Sequence, residues 1–163
     1  MAERTPVEEP GLLFVKKAEW TSWSSRRMKT VVDIHDFRKK IDDNEIKGKE
    51  IQTPMFKLGG VEMAIKVVPD YDSSGYIAVF LYNLSDQDQL ISATVEAKYG
   101  KGYSEKSWER DEIRVNKSWG WRKFLSHKAY KAVVKEEEGY IFKLEATVIL
   151  HIKKKISTDC SSW

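Results

Sequence analysis

From residue 29 onward the apolar and polar residues alternate with the period of a β-strand. Val61, Met63, Ile65 and Val67 alternate with Glu62, Ala64, Lys66 and Val68, the two-residue spacing of a strand with one buried face. Ile91, Ala93, Val95, Ala97 and Tyr99 repeat it against Ser92, Thr94, Glu96 and Lys98. The longest series is the last, with Phe142, Leu144, Ala146, Val148, Leu150 and Ile152 set against Ile141, Lys143, Glu145, Thr147, Ile149 and His151. Tyr76 to Tyr82 is apolar throughout, as expected of a strand covered on both faces or lining a site. Two weaker signals are a short first strand at Val32, Ile34 and Phe37, with one irregular step, and a short strand at Ile113 and Val115.

Turn chemistry separates these runs: Leu58-Gly59-Gly60, Asp70 to Gly75, Asn83-Leu84-Ser85-Asp86 and Gly100-Lys101-Gly102. Phe124 to Lys135 departs from the two-residue period and predicts a short helical turn near residues 125–134. Strands at this spacing, with hairpin-sized gaps and no strand–helix alternation, predict an all-β antiparallel sandwich or barrel. The first ten residues hold two prolines and three glutamates and read as a flexible leader. No period decides residues 11–29, an extra strand or a loop on the domain edge. The expected division is a leader with a candidate edge strand over 1–28, the sandwich over 29–154, and a flexible tail over 155–163.

Composition narrows the class. The 163 residues are 41% hydrophobic and 12% aromatic, a globular mixture that excludes disorder. No apolar run nears the roughly 18 residues of a membrane helix. The start, Met1-Ala2-Glu3-Arg4, lacks the layout of a secretory signal. The single cysteine, Cys160, forms no internal disulfide, so a reducing, cytoplasmic or nuclear setting is expected. A net charge of +3 is too small and too dispersed for a dedicated nucleic-acid binder. Neither nucleic acid nor membrane is expected as a partner.

The usual catalytic arrangements are missing. Cys160 stands apart from His35, His127 and His151, and no His-x-x-x-His or Cys-x-x-Cys spacing exists. Gly59-Gly60 lacks the lysine of a phosphate loop, and the acidic residues cluster in loops such as Glu136-Glu137-Glu138. No enzyme, cofactor or metal is expected. The distinctive segment is Lys117-Ser118-Trp119-Gly120-Trp121-Arg122-Lys123-Phe124-Leu125. One tryptophan could plug the core beside a glycine bulge. Equally, the glycine could admit another backbone while rings and cationic stems wall a groove.

Here the chain resembles the MATH (meprin and TRAF homology) domain. Val32-Asp33-Ile34-His35-Asp36-Phe37 is similar to the family's opening strand, and Ile51 to Gly60 to its "I-x-S-P-x-F-x-x-G-G" run. Met63 to Pro69 resembles "W-x-I-x-V-x-P", Tyr76 to Leu81 "Y-L-S-x-F-L", and Trp119 to Leu125 "W-G-F-x-x-F-I". Lys143 to Val148 is similar to the closing strand. The likeness runs from about Thr30 to Lys153. It implies an eight-stranded antiparallel β-sandwich of TRAF-like topology that binds short extended segments of partner proteins. By that resemblance Trp119 and Trp121 form an aromatic wall, Gly120 is the point of close backbone approach, and Lys117 and Arg122 flank it. Tyr76 reaches in from the neighbouring strand, and Val95 matches a position aromatic in the substrate adaptors. Ser118 stands where the peptide-binding branches carry aspartate, which argues for a different specificity. The surrounding cations, with Lys123, Lys128 and Lys131, predict a preference for acidic or phosphorylated ligands. The alternative is a self-association module, with a homo-oligomer as its product and Trp20-Thr21-Ser22-Trp23 as a docking strand.

Overall fold

The computed structural model describes residues 17–135 and 141–159, with side chains described over 23–135 and 141–153. In chain order the elements are β1 (Lys17–Ile34), α1 (Phe37–Asp42), β2 (Ile51–Gln52), β3 (Phe56–Leu58) and β4 (Val61–Val68). A 3₁₀ turn (Tyr71–Ser73) leads to β5 (Tyr76–Asn83), β6 (Gln89–Tyr99), β7 (Gly102–Ile113), β8 (Ser118–Ser126), α2 (His127–Val133) and β9 (Phe142–Asp159). One sheet has the order β1-β9-β6-β7, and the other β2-β4-β5-β8 with β3 also paired to β4. Ser25–Ile152 form one compact unit. The second unit contains, among the described residues, the remaining parts of β1 and β9. Residues 1–16 of the expected leader (1–28) and 160–163 of the expected tail (155–163) lie outside the described residues.

The antiparallel two-sheet architecture and the helical turn agree with the sequence reading. The strands number nine rather than eight because one edge is interrupted. β2 and β3 both pair with β4, at Ile51↔Val67 and Phe56↔Met63, and Pro54 between them has no N–H for a ladder. Thr53 fills the gap: its N–H donates to the Ile65 carbonyl at 2.9 Å, and its hydroxyl accepts the Ile65 N–H at 2.9 Å.

The alternating residues form the core. Ile65, Val67, Ile77, Val79, Ile91, Ala97, Leu144 and Leu150 are all buried. Across β6 and β9 small residues oppose larger ones, Ala93 against Val148, Val95 against Ala146 and Ala97 against Leu144, which evens out the thickness of the layer. One cluster of the core is aromatic. Phe37 of α1 stacks on Phe142 with ring centroids 4.5 Å apart, and Tyr130 of α2 meets both rings edge-on. Tyr99 completes the group and lies across Gly102, where a Cβ would meet its ring at 2.2 Å. The Ser126 hydroxyl caps α2 by accepting the Ala129 N–H at 3.0 Å.

Three expectations need correction. Phe37 opens α1 instead of ending a strand, because Asp36 adopts φ 54 and turns the chain out of β1. The short strand at Ile113 and Val115 is the end of the twelve-residue β7, and Val115 lies in the following turn. Phe124 and Leu125 belong to β8, not to the helix. The ring cluster carries the first prediction. Phe37→Ala should lower the unfolding free energy by about 3–5 kcal/mol in urea denaturation. Tyr130→Phe should leave it unchanged or raise it by up to about 1 kcal/mol. That substitution removes a buried hydroxyl with no hydrogen-bond partner among the described residues, whose pKa burial pushes up to about 12.

Candidate peptide-binding edge

Five of the predicted site residues share β8, and the register with β5 decides which way each one faces. Leu81 opposes Trp119 and Val79 opposes Trp121. Leu81 and Val79 are core residues, so both tryptophans sit on the core-facing side of the strand. Tyr82 opposes Ser118 and Phe80 opposes Gly120 on the other, outward side. β8 ends the order of its sheet, so the side of its backbone away from β5 has no strand neighbour among the described residues. That leaves N–H and C=O groups for an incoming extended segment.

The two tryptophans have different jobs. Trp121 is half-buried, 4.8 Å from the Trp108 ring of β7 and 5.9 Å from Phe124. Trp108 in turn donates its indole N–H to the Ile91 carbonyl at 2.9 Å. Trp121 is thus the plug between the sheets at their β7–β8 margin. Trp119, by contrast, is 46% exposed. Its indole N–H reaches Asp111 Oδ2 at 3.1 Å. The ring borders a cavity of about 310 Å³ shared with Glu112, Ile113, Arg114, Lys117 and Ser118.

Gly120 is required by the chain itself. A Cβ there would meet the Val79 carbonyl oxygen at 2.2 Å and Phe80 Cα at 2.7 Å, so the backbone that approaches it closely is that of β5. Immediately beyond, β8 bulges: Val79 pairs with Trp121 but Ile77 with Leu125. Val95 is 5% exposed and packs in the core, where it shares a small internal gap with Trp108 and Trp121. It supports the plug from inside and is not on the exposed edge.

The outward side of the same sheet is aromatic and cationic. The Arg122 guanidinium lies 5.9 Å from the Tyr71 ring centroid, and Lys123 Nζ lies 5.4 Å from that of Tyr76. Tyr71 packs against Phe80 at 5.6 Å, and Lys66 stands 3.7 Å over Tyr82. Each cation offsets its ring's quadrupole. The structure therefore brings Tyr76, Arg122 and Lys123 together on the outward face, and Trp119 with Lys117 and Ser118 around the cavity. It takes Lys131 away from both, to an ion pair with Asp42 at 2.9 Å. Asp111 and Trp108 escaped the sequence reading because β7 has almost no apolar alternation to mark which of its residues face inward. Among the described residues, no group of three His, Cys, Asp or Glu could hold a metal ion.

The two rings should separate in mutants. Trp121→Ala should cost about 3 kcal/mol or more in chemical denaturation, as a large ring leaves a packed site. Trp119→Ala should cost no more than about 1 kcal/mol. Gly120→Ala should be destabilising by about 1–3 kcal/mol, since β5 must move away.

No family model matches the sequence. A TNF receptor-associated factor family protein of Dictyostelium discoideum is 24% identical over 125 residues, covering 74% of this chain. The aligned part is 26% of that protein, so the chain spans about a quarter of the relative's length. No helix among the described residues is long and apolar enough to cross a membrane. The distant similarity fits a TRAF-like fold, and the two antiparallel sheets are those of a β-sandwich.

Proposed function

We propose that this chain is a non-catalytic binding module that captures short extended segments of partner proteins along the open edge of β8. The observation that carries this reading is Trp119, a large exposed ring on a strand without an outer neighbour among the described residues. An added strand would gain main-chain hydrogen bonds, and its side chains would point alternately to the two sides of β8. On one side they meet Trp119 with Asp111 and Glu112, on the other Arg122 with Lys123. Such an edge recognises a segment with acidic residues in one phase and aromatic or basic residues in the other. The acidic or phosphorylated preference expected from composition is thereby confined to every second position.

A site of this size buries little surface, so a single segment should bind at about micromolar affinity or weaker. Useful strength would then come from several copies acting together. The reading extends to a cytoplasmic substrate-recognition or adaptor role in ubiquitin-linked or signalling pathways. It rests there on the likeness to the MATH family and to a relative described as a TNF receptor-associated factor family protein.

A peptide display screen with the purified chain is the test. Enrichment of alternating motifs is expected, with capture lost in Trp119→Ala and the acidic phase lost in Arg122→Glu, while both variants keep the wild-type circular dichroism spectrum. Absence of any enriched motif, with a concentration-dependent dimer or trimer in sedimentation, would replace this function with self-association.

A further inference from the structure

The outer face of the β1-β9-β6-β7 sheet carries a groove of about 350 Å³, away from the β8 edge. Its floor is a row of hydroxyls. Thr94 of β6 stands opposite Ser107 of β7 on one side and Thr147 of β9 on the other. The three are therefore neighbours across three strands spaced about 4.8 Å apart. None of these hydroxyls has a hydrogen-bond partner among the described residues. Elsewhere on this face the polar groups satisfy one another. Glu145 pairs with Lys29 and Lys98, each at 3.4 Å, and the Tyr103 hydroxyl lies between carboxylate oxygens of Glu96 and Glu105, at 2.8 and 2.9 Å, which share its one proton.

Beside the row, a built corner fixes the groove's shape. The register of β6 and β7 slips between Ile91↔Asp111 and Ala93↔Trp108, and Arg110 in the slip has φ 47. Its N–H donates to Ser92 Oγ at 3.0 Å, and the same oxygen lies 2.7 Å from His151 Nε2. The Ser92 hydroxyl and His151 Nε2 thus share one hydrogen bond, whose direction the imidazole tautomer sets. Burial first, and then the Arg110 charge, hold the His151 pKa below the usual histidine value. Arg27 of β1 and Arg110 line the groove from opposite edges of the sheet, and Glu109 is the one carboxylate lining it among the described residues.

We propose that this groove binds a phosphate group, free or as a monoester, with the hydroxyls of Ser107, Thr94 and Thr147 donating to its oxygens and the guanidinium groups of Arg27 and Arg110 balancing its charge. Unpaired hydroxyl donors flanked by two guanidinium groups match a tetrahedral dianion, whose oxygens accept several hydrogen bonds at once. The site is separate from the β8 edge and does not depend on what binds there.

The test is an amide chemical-shift titration of the full chain at constant ionic strength. The probes are inorganic phosphate, a phosphoserine pentapeptide with neutral flanks, and the unphosphorylated pentapeptide. Saturable shifts are expected at Ser92, Thr94, Ser107 and Thr147, with none from the unphosphorylated peptide. Arg27→Gln and Arg110→Gln should each weaken binding about tenfold or more, and Glu109→Gln should tighten it. Trp119→Ala should change nothing. The His151 imidazole should titrate at higher pH when the anion is bound, because a neighbouring negative charge favours the imidazolium. Saturation by inorganic phosphate alone would make the ligand a free anion, and saturation by both would make it an ester presented by a polypeptide. Either result supports the site. Non-saturating shifts, binding indifferent to both arginine variants, or an unmoved His151 titration would overturn it.

Discussion

Asn83 ties the two sheets together at the margin where the open strand begins. Its side chain is fully buried, a costly place for an amide unless every polar atom is paired. Here each one is. Nδ2 donates to the carbonyls of Gln87 and Ile113 at 2.8 and 2.9 Å, and Oδ1 accepts from the N–H and hydroxyl of Ser85. Its backbone N–H donates to the Lys117 carbonyl, and its own carbonyl accepts from Asn116, both at 3.0 Å. One residue thus holds the β5–β6 turn, the end of β7 and the turn into β8. The passage from β7 to β8 changes sheets, so nothing in either ladder sets where it lands. Asn83 sets it, with help from Asn116, whose φ of 57 suits an asparagine in the left-handed region. Trp119, three residues beyond Asn116, takes its position from this network.

Alternation then assigns the chemistry. Once Ser118 is paired with Tyr82, every later side chain of β8 as far as the bulge has its side chosen. Trp121 must enter the margin between the sheets, and Trp119 must lie on the same side but farther out, beside the end of β7 at Asp111. This resolves an ambiguity that residue type leaves open, since a core plug and a groove wall are both tryptophan. It also explains why the intervening residue is glycine. A strand pulled inward by a ring as large as Trp121 brings its outward Cα onto the β5 carbonyl, and only a residue without a Cβ fits. The close approach of β5 is by itself enough to require a glycine there.

What could be read in advance follows the same geometry. β4, β5, β6 and β9 lie within their sheets, with strands on both sides, so their inward faces are continuously apolar and the period shows in the sequence. β7 and the visible part of β1 are edge strands whose side chains are mostly exposed, and Gly102-Tyr103-Ser104-Glu105-Lys106-Ser107 offers no apolar period. Edge strands are kept polar because an apolar edge invites aggregation, and the same device hides them from pattern reading. α1 is six residues long, too short for a helical repeat, and buries only Phe37 and Ile41. For the site, residue type pointed to the right strand, but Asp111, Trp108 and Tyr71 are brought to it by pairings between distant segments that no local pattern records.

The fold therefore leaves two kinds of surface for recognition, and they differ in how freely they can change. The β8 edge is coupled to the core through Trp121, Gly120 and Asn83, so its backbone position is costly to alter, and variation is cheap only at outward residues such as Ser118 and Arg122. The hydroxyl row on the outer face has no such coupling. Thr94 lies between Ala93 and Val95 in sequence but on the opposite face of the sheet from both, so exchanging its side chain leaves the packed layer untouched. A hydroxyl at such a position does nothing for the core that a valine or lysine could not do. Three of them stand in register without partners among the described residues, beside a serine and a histidine that hold each other. Threonine's fit to a strand accounts for the residue type at two of these positions but not for the alignment of all three between two arginines.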